Sequence, residues 1–209
     1  MATKNIELKT VLASCTLVMA AEIGWGVFIS GEMGLPGLGI LRFFQVTLVL
    51  GCVYHMDKTF TPIGLSPSRI LPGVRNGLIW SFIFGLITCA MFLVLFLNDI
   101  NPFTLLRIRL PQDPWQKILY FLVGGLIAPV AEEIFFRGIL YGFFRRWGVV
   151  FAVFLSTLIF AVAHPGVSYV QITGGIVFAI SYEKEKNLMV PITIHTLGNL
   201  SLFSLPLLT

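Results

Sequence analysis

Charge is scarce in this chain. Only 11% of its 209 residues are Asp, Glu, Lys or Arg, while 56% are hydrophobic. A soluble globular domain carries roughly 25% charged residues. So few charges cannot cover the surface of a water-soluble fold, which excludes a cytosolic enzyme and a disordered chain. The formal net charge of +4 does not indicate a nucleic-acid partner, because the 14 basic residues are scattered instead of forming a patch for phosphate. Cysteine is scarce too. Cys15, Cys52 and Cys89 are odd in number and each sits in an apolar run, which excludes a disulfide framework and leaves them as packing residues. Leu12-Ala13-Ser14-Cys15 superficially looks like a lipoprotein cleavage box. Only about five apolar residues precede it, short of the ~7–15 of a signal h-region, so the first segment is expected to be a retained span. Internal repeats, low-complexity tracts, alternating strand patterns and a soluble domain at either end are not evident either.

What is present is a series of long apolar segments. Seven run approximately Thr10–Ile29, Leu38–Tyr54, Val74–Leu97, Lys117–Phe144, Gly148–His164, Val167–Tyr182 and Leu188–Leu208. Crossing a bilayer takes about 20 helical residues, and the fifth and sixth are short for that. Lipid leaves no backbone group unpaired, so without a strand pattern the spans must be helices. The expectation is an all-α, polytopic transmembrane bundle of about seven (six to eight) helices forming one integral-membrane domain over residues 1–209. With the N-terminus inside, Lys4, Lys9, Lys58, Arg69, Arg75, Arg145, Arg146, Lys184 and Lys186 fall on one side, nine of the 14 basic residues. The positive-inside rule therefore predicts a cytoplasmic N-terminus in a plasma or inner membrane. Arg107, Arg109 and Lys117 fall on the other side, all in or beside the 98–116 connection. There, Leu105, Leu106, Ile108 and Leu110 could lie among the headgroups.

Polar and charged side chains at membrane depth cost at least ~2.5–3.5 kcal/mol when charged, and so need a partner or a purpose. They are Glu22, Arg42, Glu132, Glu133, Arg137, His164, His195 and Asn199. Glu133 and Arg137 are four residues apart and can pair on one helix face. Glu132 is rotated about 100° from Glu133 and points elsewhere, which leaves it free to act as a base. Phe160 and His164 share a face, as do His195 and Asn199. Alone, each of these pairs would be read as a helix-end histidine or as interhelical glue. Glu22 either faces a cavity, pairs with Arg42 or reaches the interface, and His55 reads as an interfacial residue. One tension accompanies this reading. On ideal helices Glu132, His164 and His195 lie about 18, 24 and 10 Å from the inner ends of their spans. A shared site then requires tilt or a shifted seventh helix.

Glu-Glu-x-x-x-Arg, Phe-x-x-x-His and His-x-x-x-Asn, in this order on apolar segments, resemble the CAAX protease and bacteriocin-processing family of intramembrane endopeptidases, to which the Ras-converting CAAX endopeptidases belong. The three motifs match at Glu132–Arg137, Phe160–His164 and His195–Asn199, within residues 132–199. The resemblance implies that Glu132 and His164 activate a water for attack on the scissile amide. It implies that His195 and Asn199 bind the oxyanion of the tetrahedral intermediate, and that Glu133 and Arg137, with Phe160, support the helix. The implied partners are membrane lipid and a membrane-associated or prenylated protein or peptide.

No cofactor is expected. Glu132, His164 and His195 could form a three-ligand zinc site, but an amide four residues after His195 suits an oxyanion hole better than a metal shell. Two further readings belong to other classes. One is a non-proteolytic immunity or scaffold protein that binds a peptide in the same cavity. The other is a proton-coupled transporter, which the lack of inverted repeats disfavours.

Overall fold

The structure is a computed structural model, and it describes residues 6–28, 34–106, 109–164 and 168–207. Lys4, the Leu105 side chain, Arg107 and Ile108, which entered the sequence reading, lie outside the described residues. Seven principal helices follow one another, and no strand occurs among the described residues. They are α1 (Leu8–Phe28), α2 (Gly34–Asp57), α3 (Ile70–Leu97), α4 (Pro114–Trp147), α5 (Val149–Val162), α6 (Tyr169–Glu185) and α7 (Met189–Ser204). Short helical turns at Thr61–Ile63 and Pro67–Arg69 join α2 to α3, and a four-residue helix at Phe103–Leu106 precedes α4.

Five of these helices are long and apolar enough to cross a membrane, while α5 is apolar but only 14 residues long. The outside of the bundle is hydrocarbon: Phe28, Val150, Leu71, Leu97 and Phe43 stand exposed. Among the fully buried residues are Glu133, Arg137, Ser156 and Ser181. Apolar outside and polar within is the arrangement lipid imposes, since a charge facing hydrocarbon has no partner. The chain is thus the polytopic helical membrane bundle that its apolar segments predict.

Two local departures from regular helix set the position of the functional side chains. The first lies in α4. It starts conventionally, with Asp113 capping the Gln116 amide and Pro114 in the first turn. Within it, Val123–Ile127 and Ile134–Tyr141 widen into π-helical turns on either side of Ala128–Glu133. Pro129 has no N–H to give to the preceding turn, so the helix must loosen near it. The bearer of Glu132 and Glu133 is therefore one short regular stretch between two wide ones.

The second departure is the α6–α7 turn, which is sunk inside the bundle. Leu188 is wholly buried and Asn187 nearly so. The Leu188 amide donates to the Gly64 carbonyl (3.0 Å), Asn187 Nδ2 donates to the Arg69 carbonyl (2.8 Å), and the Arg69 guanidinium donates to the carbonyls of Glu185 and Lys186. Gly64 adopts φ +74°, and a Cβ there would stand 2.9 Å from the Tyr182 ring, so only glycine fits. Because α7 starts beneath this loop instead of at the surface, His195 is carried deeper than a count from the membrane edge gives. That removes most of the depth mismatch foreseen in the sequence.

Beyond the apolar stretch of α6, Glu183 accepts hydrogen bonds from Tyr141 (2.7 Å) and from Nε and Nη2 of Arg145 (both 2.8 Å), and it pairs with Lys186. Burial works against its charge, but these donors outweigh it and hold the Glu183 carboxyl at about 2. This cluster ties the end of α4 to the end of α6.

Candidate active site

Glu132 and Glu133 lie side by side on α4 and face different surroundings, as their 100° offset requires. Glu133 is completely buried. Its Oε1 accepts from Arg137 Nη1 (2.8 Å), one turn on, and from His195 Nδ1 (2.8 Å), across on α7. Arg137, also without solvent access, passes a second hydrogen bond to the Gly175 carbonyl on α6 (3.2 Å). Its guanidinium carbon stands 4.6 Å from the Phe160 ring centroid and 5.1 Å from that of Phe178. A cation held between two aromatic faces recovers part of its lost hydration. The His195 ring stacks on Phe178, with centroids 4.5 Å apart and planes at 20°.

His164 sits just past the end of α5. Its ring is 4.5 Å from Phe160, and Nδ1 donates to the Phe160 carbonyl (2.8 Å). Both imidazoles are thereby fixed by the same logic. Each has Nδ1 committed to an acceptor, so each turns Nε2 into the site. The two Nε2 atoms converge on one oxygen, Glu132 Oε2, at 3.6 Å from His164 and 3.8 Å from His195. In their neutral forms both nitrogens present lone pairs to a carboxylate. The space between them therefore calls for a species with hydrogens to donate, such as water or a shared proton.

Asn199 lies one turn beyond His195 on α7. Its Nδ2 donates to the Gly124 carbonyl on α4 (2.8 Å). The contact is possible because α4 and α7 approach closely at this level: a Cβ on Gly125 would stand 2.5 Å from Leu200 Cδ2. The structure thus brings Glu132, His164 and His195 together, with Glu133, Arg137 and Phe160 behind them, and ties Asn199 to the α4 backbone beside them.

Three contributors were not singled out in the sequence. Phe178 stacks on His195, and the Gly175 carbonyl completes Arg137. On α2, Gln45 binds both partners of the Glu22–Arg42 pair: Arg42 Nη1 donates to Gln45 Oε1 (2.7 Å) and to Glu22, and Gln45 Nε2 donates to Glu22 (3.0 Å). This cluster resolves the open reading of Glu22 in favour of the partner Arg42. A polar residue three positions after an arginine within an apolar span was a usable signal for Gln45. For Phe178 there was none.

The same three site atoms form a donor set of the type zinc takes. Bonds of about 2.1 Å to a tetrahedral ion imply ligand separations near 3.4 Å, and the two measured separations are slightly wider, at 3.6 and 3.8 Å. Among the described residues, no group of three or more His, Cys, Asp or Glu is arranged to hold a metal ion.

Fold and site together define a class: a polytopic α-helical membrane protein with a Glu-His-His cluster built inside the bundle on a buried ion pair. Comparison with known proteins makes this more specific. Residues 114–201, which run from the start of α4 to within α7, match the family model of type II CAAX prenyl endopeptidase Rce1-like proteins. The resemblance carried by the three motifs is borne out over this stretch. YdiL of Bacillus subtilis (strain 168), named as a candidate membrane peptidase, is 31% identical over 84 residues, 39% of this chain and 34% of that protein. The membrane-embedded CAAX protease MroQ of Staphylococcus aureus (strain USA300) is 34% identical over 90 residues, 39% of this chain and 36% of that protein. The chain thus spans about a third of the length of the curated relatives it matches. No solved structure gives a significant match.

Proposed function

We propose that this protein is an intramembrane endopeptidase that hydrolyses a peptide bond in a membrane-associated protein or peptide, with prenylated tails as one substrate class. The observation that carries this reading is the convergence of two imidazole Nε2 atoms on one Glu132 oxygen, from three different helices. A water held there is hydrogen-bonded to Glu132 and His164. As its oxygen attacks the carbonyl carbon, its proton passes to the Glu132 carboxylate. The carbonyl oxygen becomes an oxyanion beside His195. With Nδ1 bonded to the Glu133 carboxylate, His195 is supported as an imidazolium that donates from Nε2. Asn199 Nδ2 carries two hydrogens. One goes to the Gly124 carbonyl and the other serves the oxyanion. Collapse breaks the C–N bond, and the proton held by Glu132 leaves with the amine. The chemistry needs no metal on this reading, and the basic loops set the N-terminus in the cytoplasm.

The test is cleavage of an internally quenched farnesylated peptide by the purified protein in liposomes. Glu132→Gln and His164→Ala should each abolish turnover while the protein remains folded and inserted. Turnover of Glu132→Gln near the wild-type rate would overturn the assignment. Binding without cleavage by the wild-type protein would favour a peptide-binding scaffold instead. Activity should survive exhaustive dialysis against strong chelators, whereas loss that zinc restores would replace this mechanism with a metal-dependent one.

A further inference from the structure

Arg42 has no role in the chemistry above, yet its charge acts on both Glu132 and His164. α2 packs against the part of α4 that carries Glu132. Both neighbours of Arg42, Glu22 and Gln45, are bound through a single guanidinium nitrogen, Nη1. Nε is buried and has no hydrogen-bond partner among the described residues. The edge with Nε and Nη2 is the one that grips a carboxylate with two parallel hydrogen bonds, and Glu22 does not use it. The cluster is also reachable. The Arg42 side chain is 24% exposed and that of Glu22 41%, beside Glu132 at 16% and His164 at 25%. The deeper cation, Arg137, is wholly enclosed and spent on Glu133. An anionic group approaching Glu132 is repelled by that carboxylate, and Arg42 is placed to offset the repulsion.

We propose that Arg42 is a recognition residue that binds the C-terminal carboxylate of the peptide being cleaved. Glu22 and Gln45 fix the guanidinium so that its Nε edge faces the substrate. This inference rests on the proteolytic reading for what the peptide is doing there, but it is tested by binding alone. The full chain carrying Glu132→Gln is purified in detergent and titrated with a fluorescent farnesylated nonapeptide. The peptide is prepared as the free acid, as the C-terminal amide, and as an amide ending in Asp.

The acid should bind about tenfold more tightly than either amide, the scale of one charge-assisted contact. Adding Arg42→Gln should weaken the acid to the level of the amides and leave the amides unchanged. Arg42→Lys keeps the charge without the fork and should fall between, which keeps the test open if the glutamine variant does not fold. The proposal is overturned by equal binding of acid and amide, by no measurable binding of the acid, or by an acid preference that persists in Arg42→Gln. It is also overturned if the Asp-ended amide matches the acid. An acid preference in a protein that never cleaves would sink the protease reading alone.

Discussion

Replacing Glu133 with glutamine removes the charge from one side of an ion pair that has no access to solvent. Glu133 Oε1 holds two hydrogen bonds of 2.8 Å, one from Arg137 and one from His195, and both members of the pair are 0% exposed. Glutamine nearly preserves the volume and one acceptor oxygen. It leaves the Arg137 cation with only the Gly175 carbonyl and the faces of Phe160 and Phe178. Breaking a buried pair by removing one partner costs about 3–5 kcal/mol, because the remaining charge is stranded. For a chain of this size, that amounts to a fall in melting temperature of roughly 10 °C. Removing both charges should be far milder, since a matched apolar pair of similar volume is often neutral. The assay is thermal unfolding in detergent of wild type, Glu133→Gln and the double variant Glu133→Leu/Arg137→Met. The double variant should melt nearer to wild type than Glu133→Gln does, yet it should be inactive because His195 has lost the anion on Nδ1. A melting point for Glu133→Gln within about 2 °C of wild type would refute the reasoning.

Two other measurements probe the scaffold. A Cβ on Gly77 would stand 2.5 Å from Thr193 Cβ, where a β-branched side chain cannot swing aside. Gly77→Ala should therefore separate α3 from α7 and cost about 1–3 kcal/mol, with recovery in the Gly77→Ala/Thr193→Gly pair. Glu183, held at about 2 against an ordinary 4.5, stays charged in the folded protein where the unfolded chain takes up a proton. Its contribution is complete above pH 4.5 and is lost as pH falls towards 2. The gap in melting temperature between wild type and Glu183→Gln should narrow over that range, and a constant gap would contradict it.

Much of this was legible in the sequence because membrane depth makes polar residues conspicuous. The seven apolar segments became seven helices, with ends moved by a few residues. The spacing of Glu133 and Arg137 predicted their pairing and the separate role of Glu132, since helical geometry alone fixes both. What stayed hidden depended on contacts between distant segments. Periodicity does not say that the turn before α7 is clasped by the loop around Gly64, so the depth of His195 came out too shallow. Nor does it show that Phe178 meets His195. The wide turns around Ala128–Glu133 left only Pro129 as a sign, and a single proline does not reveal how a helix will relax around it.

The placement of Arg137 bears on how the protein is made. Its counterion lies one turn earlier on the same helix, so the two charges can neutralise each other as soon as that segment coils. α4 can therefore enter the lipid before any of its later neighbours exist. Glu132 has no such companion and acquires His164 and His195 only when α5 and α7 arrive. Biosynthesis thus divides in two: the foundation of the site is built by one helix unaided, and its reactive centre comes into being last.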